Sequence, residues 1–372
     1  MNHKIRTKIK QILVPLQLAT NLARKKFLVE ILLGIIESRK VQFNEISLHI
    51  QSEAKVESTE SRVQAFFRDF EFDYEQVARI LICLLPKAKL TLCMDRTEWD
   101  FGAFQCNILV VTAYFKGVGI PIFWELLDNK SGNSHTHDRI DLFEKCIHIV
   151  GKNRIARWIG DREFIGHTWL KYLKDNEIPF CVRVPKHHKV QLKNGDFLNL
   201  DEALQHVSAR YYQAVIVDGI RCNLFIKKLP TNELFFLIGS EHSKSLGTSY
   251  RQRWSIEVCF QSLKGRGFNL EETHLKDPKK LKMLLVFVSL ALLFCVKLGI
   301  LVHAKKKTKK VKKDTYKTQS FFRVGLDVLR TCLKHNGKTL EIFLLKALEM
   351  LEHFLLKNTQ LYDYQRFIKN IR

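Results

Sequence analysis

Leu90-Thr-Leu-Cys-Met-Asp95 sets the fold class, because its residues alternate with a period of two. Leu90, Leu92 and Met94 fall on one face and Thr91, Cys93 and Asp95 on the other, the pattern of a β-strand. Downstream, residues 107–115 and 120–127 are a second and a third strand, the second closed by Lys116-Gly-Val-Gly119. A polar loop over 128–136 leads into a helix expected over 137–150. Residues 154–159 are a further strand, closed by Gly160-Asp161, and a helix over about 166–176 follows.

Three strands, a helix and a fourth strand, in that order, match a ribonuclease-H-like sheet. The expected class is therefore α/β: a ribonuclease-H-like mixed sheet with an inserted β-rich subdomain and helical regions at both ends. The insertion is read from residues 180–184, 214–217, 222–227 and 234–238, separated by Gly195, Asp218-Gly219 and Pro230. Helical periodicity occupies residues 1–85 and resumes near Ser249. The expected divisions are a helical region (1–85), the first part of the core (86–179), the insertion (180–245), the second part of the core with a further helix (246–302), and a basic linker with a helical tail (303–372). No internal repeat is found.

The 372 residues carry 61 Lys and Arg against 38 Asp and Glu, a net charge of +23, with 46% hydrophobic residues. Such a chain builds a real core and attracts polyanions, nucleic acid or an anionic membrane face. Nine dispersed cysteines form no Cys-x-x-Cys pair, which points to reduced thiols and a cytoplasmic setting rather than a zinc ribbon. The basic N-terminus is not followed by an apolar core of signal-peptide type. Residues 283–296 are an uncharged run of 14, apolar but for Ser289, about 21 Å as a helix and shorter than the roughly 30 Å of a bilayer core, so a buried helix is expected.

The chemistry is carried by Tyr250, Arg253, Glu257 and Lys264, at offsets 0, 3, 7 and 14. On one continuous helix they fall within about 60° of one another. Ile256, Cys259, Phe260 and Leu263 form the adjoining core stripe. Helical geometry alone is equally served by a routine i,i+4 ion pair between Arg253 and Glu257. The pattern Tyr-x2-Arg-x3-Glu-x6-Lys, however, resembles the YREK signature of bacterial insertion-sequence transposases with DDE chemistry.

That resemblance covers about residues 60–330. It matches the family's first aspartate to Asp95 in Cys93-Met-Asp-Arg-Thr-Glu-Trp99 and its second to Asp161 in Ile159-Gly-Asp-Arg-Glu-Phe164. Glu257 is the third carboxylate. It also extends to Gly119-Ile-Pro-Ile-Phe-Trp-Glu-Leu-Leu127, a stretch with no chemical role of its own. The resemblance implies catalytic and metal-binding roles for Asp95, Asp161 and Glu257. They would hold two Mg²⁺ ions, with Mn²⁺ as a substitute, to hydrolyse phosphodiesters and transfer strands. DNA contacts are expected from Tyr250, Arg253 and Lys264, and base stacking from Trp254. Double-stranded DNA at transposon ends and target, a homodimer in the synaptic complex, and no membrane are the expected partners. A domesticated DNA-binding protein, or a nuclease of the same fold without strand transfer, is the alternative.

Asp100 and Glu163 compete with Asp95 and Asp161 for the first two positions. His135, His137 and Asp138 invite a metal reading, but a helix N-cap at Ser134 or Thr136 is favoured. Lys186-His-His-Lys189 and the lysine run over 305–313 are candidate phosphate contacts, and residues 340–356 a candidate protein contact.

Overall fold

Five helices precede the first strand in the computed structural model: α1 (His3–Leu13), α2 (Leu22–Ser38), α3 (Phe43–Ser47), α4 (Val56–Asp69) and α5 (Tyr74–Cys83). The structure describes residues 3–102, 104–128, 132–185, 187–198, 203, 209–307, 319–334 and 338–358. The lysine run from residue 308 and Lys186 lie outside them. The strands are β1 (Leu90–Phe101), β2 (Phe104–Phe115), β3 (Val118–Leu126), β4 (Ile155–Gly160), β5 (Phe180–Val184), β6 (Val190–Gln191), β7 (Ala209–Val217), β8 (Ile220–Lys228) and β9 (Leu234–Gly239). Helix α6 (Thr136–Val150) precedes β4 and α7 (His167–Asp175) precedes β5. After β9 come α8 (Ser243–Tyr250), α9 (Trp254–Leu263), α10 (Pro278–Lys307), α11 (Phe321–Lys334) and α12 (Lys338–Asn358).

The chain divides into two compact units, Met1–Lys87 with Asp100–Phe104 and Cys259–Arg372, and Ala88–Trp99 with Gln105–Val258. All nine strands belong to one mixed sheet in the order β3-β2-β1-β4-β5-β9-β8-β7-β6. Its first five strands have the ribonuclease-H-like order, with β2 and β3 antiparallel and β1, β4 and β5 parallel. The β-rich insertion does not form a sheet of its own. Strand β9 pairs antiparallel with β5, Val182 opposite Ile238, and so continues the same sheet outward. Strands β1, β2 and β3 outrun their sequence-predicted limits, and the two-residue β6 is too short to leave a periodic signal.

In the unit that holds the chain's terminal helices, the run over 283–296 lies within α10 and is buried. Phe287 meets Phe67 and Phe72 with ring centroids 5.4 and 5.6 Å away. The helix is long and apolar enough to cross a membrane by composition, but 83% of its most apolar window is packed inside the protein. Gly299 and Gly325 let α10 and α11 meet backbone to backbone. A Cβ on either glycine would overlap a carbonyl of the other helix, that of Phe321 or of Cys295. Eight of the nine cysteines are buried and all are free thiols.

Candidate active site

Strands β1 and β4 run parallel with Cys93 opposite Ile159. Asp95 and Asp161 each stand two residues further along, so the register brings both to one face at one sheet end. This is the carboxyl end of the parallel strands, where open α/β sheets place their ligands. Gly160 makes the exit of β4 tight, because a Cβ there would run into the Trp158 indole. That indole packs edge-on against Phe164 and Trp169, with centroids 5.9 and 5.2 Å away, and forms a stiff floor beneath Asp161. Each aspartate accepts the next backbone N–H: Arg96 to Asp95 at 2.9 Å, Arg162 to Asp161 at 2.8 Å.

The third carboxylate, Glu257, arrives on α9. Gly119 of β3 seats the start of that helix. A Cβ at 119 would lie 3.0 Å from the Ser255 carbonyl oxygen and 2.8 Å from Thr112 Oγ1. Only a bare backbone leaves room for the helix against the sheet there. The stretch 119–127, which had no assignable chemistry, thus has a steric role at its first residue.

One guanidinium ties the three carboxylates together. Arg253 donates to Asp95 Oδ2 at 2.9 Å, makes a short hydrogen bond to Glu257 Oε1 through its other terminal nitrogen, and lies 3.9 Å from Asp161 Oδ2. Tyr250 completes the ring by donating its hydroxyl to Asp161 Oδ1 at 3.1 Å. Burial pushes the Asp95 carboxyl up to about 6, against the pull of Arg253. Burial opposes the charge on Arg253 too, but Tyr250, Asp161, Asp95 and Glu257 outweigh it and hold the guanidinium above its ordinary value. Burial also raises the Tyr250 phenol, keeping it protonated as a donor. Carboxylates converging from two strand ends and one helix suit a cation-assisted reaction on a polyanion.

Residues 94–294, more than half the chain, match the family model described as a transposase DDE domain. The chain belongs to the DDE transposase family. A comparison with curated proteins gives no match. Among solved structures, a piggyBac transposase synaptic complex with hairpin DNA is similar at 12% identity and a TM-score of 0.43, over 94% of this chain and 82% of that one.

In this transposase the helix carrying the signature residues is not continuous. A 3₁₀ turn, Arg251–Arg253, separates α8 from α9, and α9 ends at Leu263. Tyr250, Arg253 and Glu257 still meet because the tighter turn swings Arg253 toward the carboxylates. The backbone N–H of Lys264 donates to the Phe260 carbonyl at 2.9 Å, so helical spacing runs on to this residue. It follows the helix end and pairs with Glu271 at 2.7 Å. Trp254, 60% exposed, opens α9 with its indole presented to solvent.

The rivals resolve differently. Asp100 is an exposed residue of β1. Arg96 donates its Nε–H to both carboxylate oxygens of Glu163, Oε1 at 2.9 Å and Oε2 at 3.0 Å. Ser134 Oγ donates to Glu163 Oε1 at 3.1 Å and is itself bonded by Arg139 Nε at 2.8 Å. Glu163 is therefore a counter-ion that fastens the residue after Asp95 to the turn after Asp161. Spacing gave no sign of this network; the charged Arg96 following a strand-end aspartate was the available hint. Helix α6 is capped at His135, whose backbone N–H donates to Asp138 at 3.2 Å, and not at Ser134 or Thr136. Beside Glu163, an open cleft of about 1000 Å³ is lined by Arg162, Arg183, His187 and His188.

Members of this family generally use divalent metal ions. As placed, no three His, Cys, Asp or Glu side chains among the described residues are grouped to share one ion. The donor chemistry fits nonetheless. All three groups offer hard carboxylate oxygens, and magnesium takes only one or two carboxylates per ion. The Arg253 guanidinium now stands as the cation they share.

Proposed function

We propose that this transposase binds the terminal inverted repeats of an insertion sequence of the YREK group, cuts its ends and joins them to target DNA. The observation that carries the reading is the convergence of Asp95, Asp161 and Glu257 on the single Arg253 guanidinium. A structural ion pair needs one carboxylate per arginine; a surplus of two fits a centre built to hold more positive charge.

Asp95, Asp161 and Glu257 would hold the divalent ions, magnesium by preference and manganese as a substitute. When bound, the ions supply charge for ionising the attacking water and stabilising the leaving 3′-oxygen. The chain's own residues do the rest. Arg253 and Tyr250 fix the carboxylates in the absence of substrate, and Arg253 offers a fork for phosphate beside the cut. Trp254 gives a stacking surface for an unpaired base. The cleft lined by Arg162, Arg183 and His187, with Glu163 and Glu233 in the same wall, offers a path for the strand that leads to Asp161. Lys264 is retained as a phosphate contact that must first release Glu271. The helical region of residues 1–85 is assigned to end recognition, with a homodimer as the acting form on DNA in the bacterial cytoplasm.

The test is cleavage of a duplex carrying the element's own end, taken from the DNA that flanks the gene. Asp95→Asn, Asp161→Asn and Glu257→Gln should each remove Mg²⁺-dependent nicking while leaving end binding within about threefold. Full nicking by any one of them would overturn that residue's assignment. Binding without nicking by the unaltered protein would favour the domesticated DNA-binding alternative.

A further inference from the structure

Helix α11 carries a feature that the catalytic reading does not use. Arg323, Asp327, Arg330, Thr331 and Lys334 lie at offsets 0, 4, 7, 8 and 11 and line one shallow surface depression of about 220 Å³. At 100° per residue they occupy an arc of about 100°. The opposite face, Phe322, Leu326, Leu329 and Leu333, is buried. The stripe is widened by Arg39, the left-handed cap of α2, whose guanidinium donates to the carbonyls of Arg266 and Gly267 at 3.1 and 3.2 Å. Phe268, one residue further on, packs against Phe322 at 5.5 Å and joins this loop to α11.

The cations here are not gathered around acids. Asp327 pairs with Arg323 at 2.7 Å and is the one carboxylate lining the depression among the described residues. Glu37, beneath the patch, is engaged by Arg6, and Arg330 takes its backbone carbonyl at 3.1 Å rather than its carboxylate. Arg39 feels the repulsion: burial, then Arg323 and Arg330, pull its guanidinium below the ordinary value. Like charges held this close on a rigid support cost stability unless an anion answers them. The support is rigid because Gly325 is pressed against the α10 backbone.

We infer that the Arg323–Arg330–Lys334 stripe, with Arg39, is a second nucleic-acid contact that grips the phosphate backbone of double-stranded DNA without reading its sequence. Eleven residues of helix span about 16 Å, long enough to reach more than one phosphate of a strand. The spacing suits a backbone rail rather than a pocket for a single phosphate. Thr331, exposed between the cations, is small enough to leave the rail open. This inference rests on the DNA reading above and adds a surface that the carboxylate centre does not require.

The experiment measures binding of the full chain to a random-sequence 30-base-pair duplex between 50 and 200 mM salt. Two variants are compared with the unaltered protein, Arg323→Gln/Lys334→Gln and Thr331→Glu. The second adds an anion at an exposed position and removes no bond. A charge-matched control, Lys152→Gln/Lys171→Gln, removes two exposed lysines elsewhere. The double variant should bind at least tenfold more weakly at 100 mM salt, with a log–log slope shallower by about 2. Thr331→Glu should weaken binding in the same direction, and the control pair by less than threefold. Equal slopes for variant and unaltered protein, an equal loss in the control pair, or an effect confined to double-stranded RNA overturns the inference. If the unaltered protein shows no salt-dependent DNA binding, the DNA reading itself falls and takes the rail with it.

Discussion

Replacing Asp95 with asparagine should make the protein more stable and inactive at once. The carboxyl of Asp95 rises from an ordinary 3.8 to about 6 in the folded chain, first because it is buried. Below pH 3.8 it is protonated in both states and contributes no pH dependence. Between 3.8 and 6 the unfolded chain releases this proton while the folded chain keeps it, so stability falls as pH rises. Above 6 the loss is complete. About 2 units at 1.36 kcal/mol each give a loss of about 3 kcal/mol. Asparagine keeps the shape and omits the charge, so the difference should follow the same window. In chelator-treated buffer, urea unfolding should find Asp95→Asn within about 1 kcal/mol of the unaltered protein at pH 4 and 2–3 kcal/mol more stable at pH 7.5. Adding magnesium at pH 7.5 should close the gap by stabilising only the unaltered chain. A gap that does not change with pH, or an asparagine variant that is less stable at pH 7.5, would refute the argument that burial loads this carboxylate.

Three further outcomes follow from the same geometry. Arg253→Gln leaves three carboxylates without their shared cation and should cost about 3 kcal/mol at pH 7.5 and less at pH 5, read by urea unfolding without metal. Glu163→Gln should keep measurable nicking, within about tenfold of the unaltered rate, because Glu163 answers Arg96 and not the substrate; complete loss would make it a ligand. Gly119→Ala, with its new Cβ 3.0 Å from the Ser255 carbonyl, should lower nicking at least tenfold while costing about 1–3 kcal/mol in an unfolding titration. Unchanged nicking there would show that α9 does not depend on its glycine seat.

Much of the catalytic sheet could be read in advance, because buried strands leave a two-residue period and closing glycines. Residues 90–95 carried the period and 154–159 the closing glycine, and the parallel register of the two strands sets Asp95 beside Asp161. The insertion was legible as strands but not as a continuation of the same sheet. Pairing of Val182 with Ile238 is a choice between edges, and local pattern does not encode which edge a strand will meet. The break at Arg251–Arg253 was invisible for a related reason: no glycine or proline marks it, and its geometry is imposed by packing. The pairing of Lys264 with Glu271, just past the end of α9, was equally absent from the spacing. The clasp of Arg253 on all three acids needed coordinates, since sequence spacing offered only its pairing with Glu257.

Gly119 bears on how copies of such a gene are counted. A single methyl group at position 119 leaves every charged residue untouched and crowds the Ser255 carbonyl on the helix that delivers Glu257. Under the proposed function, a copy altered in this way would keep all three carboxylates, so an inventory built on the triad alone would count it as intact.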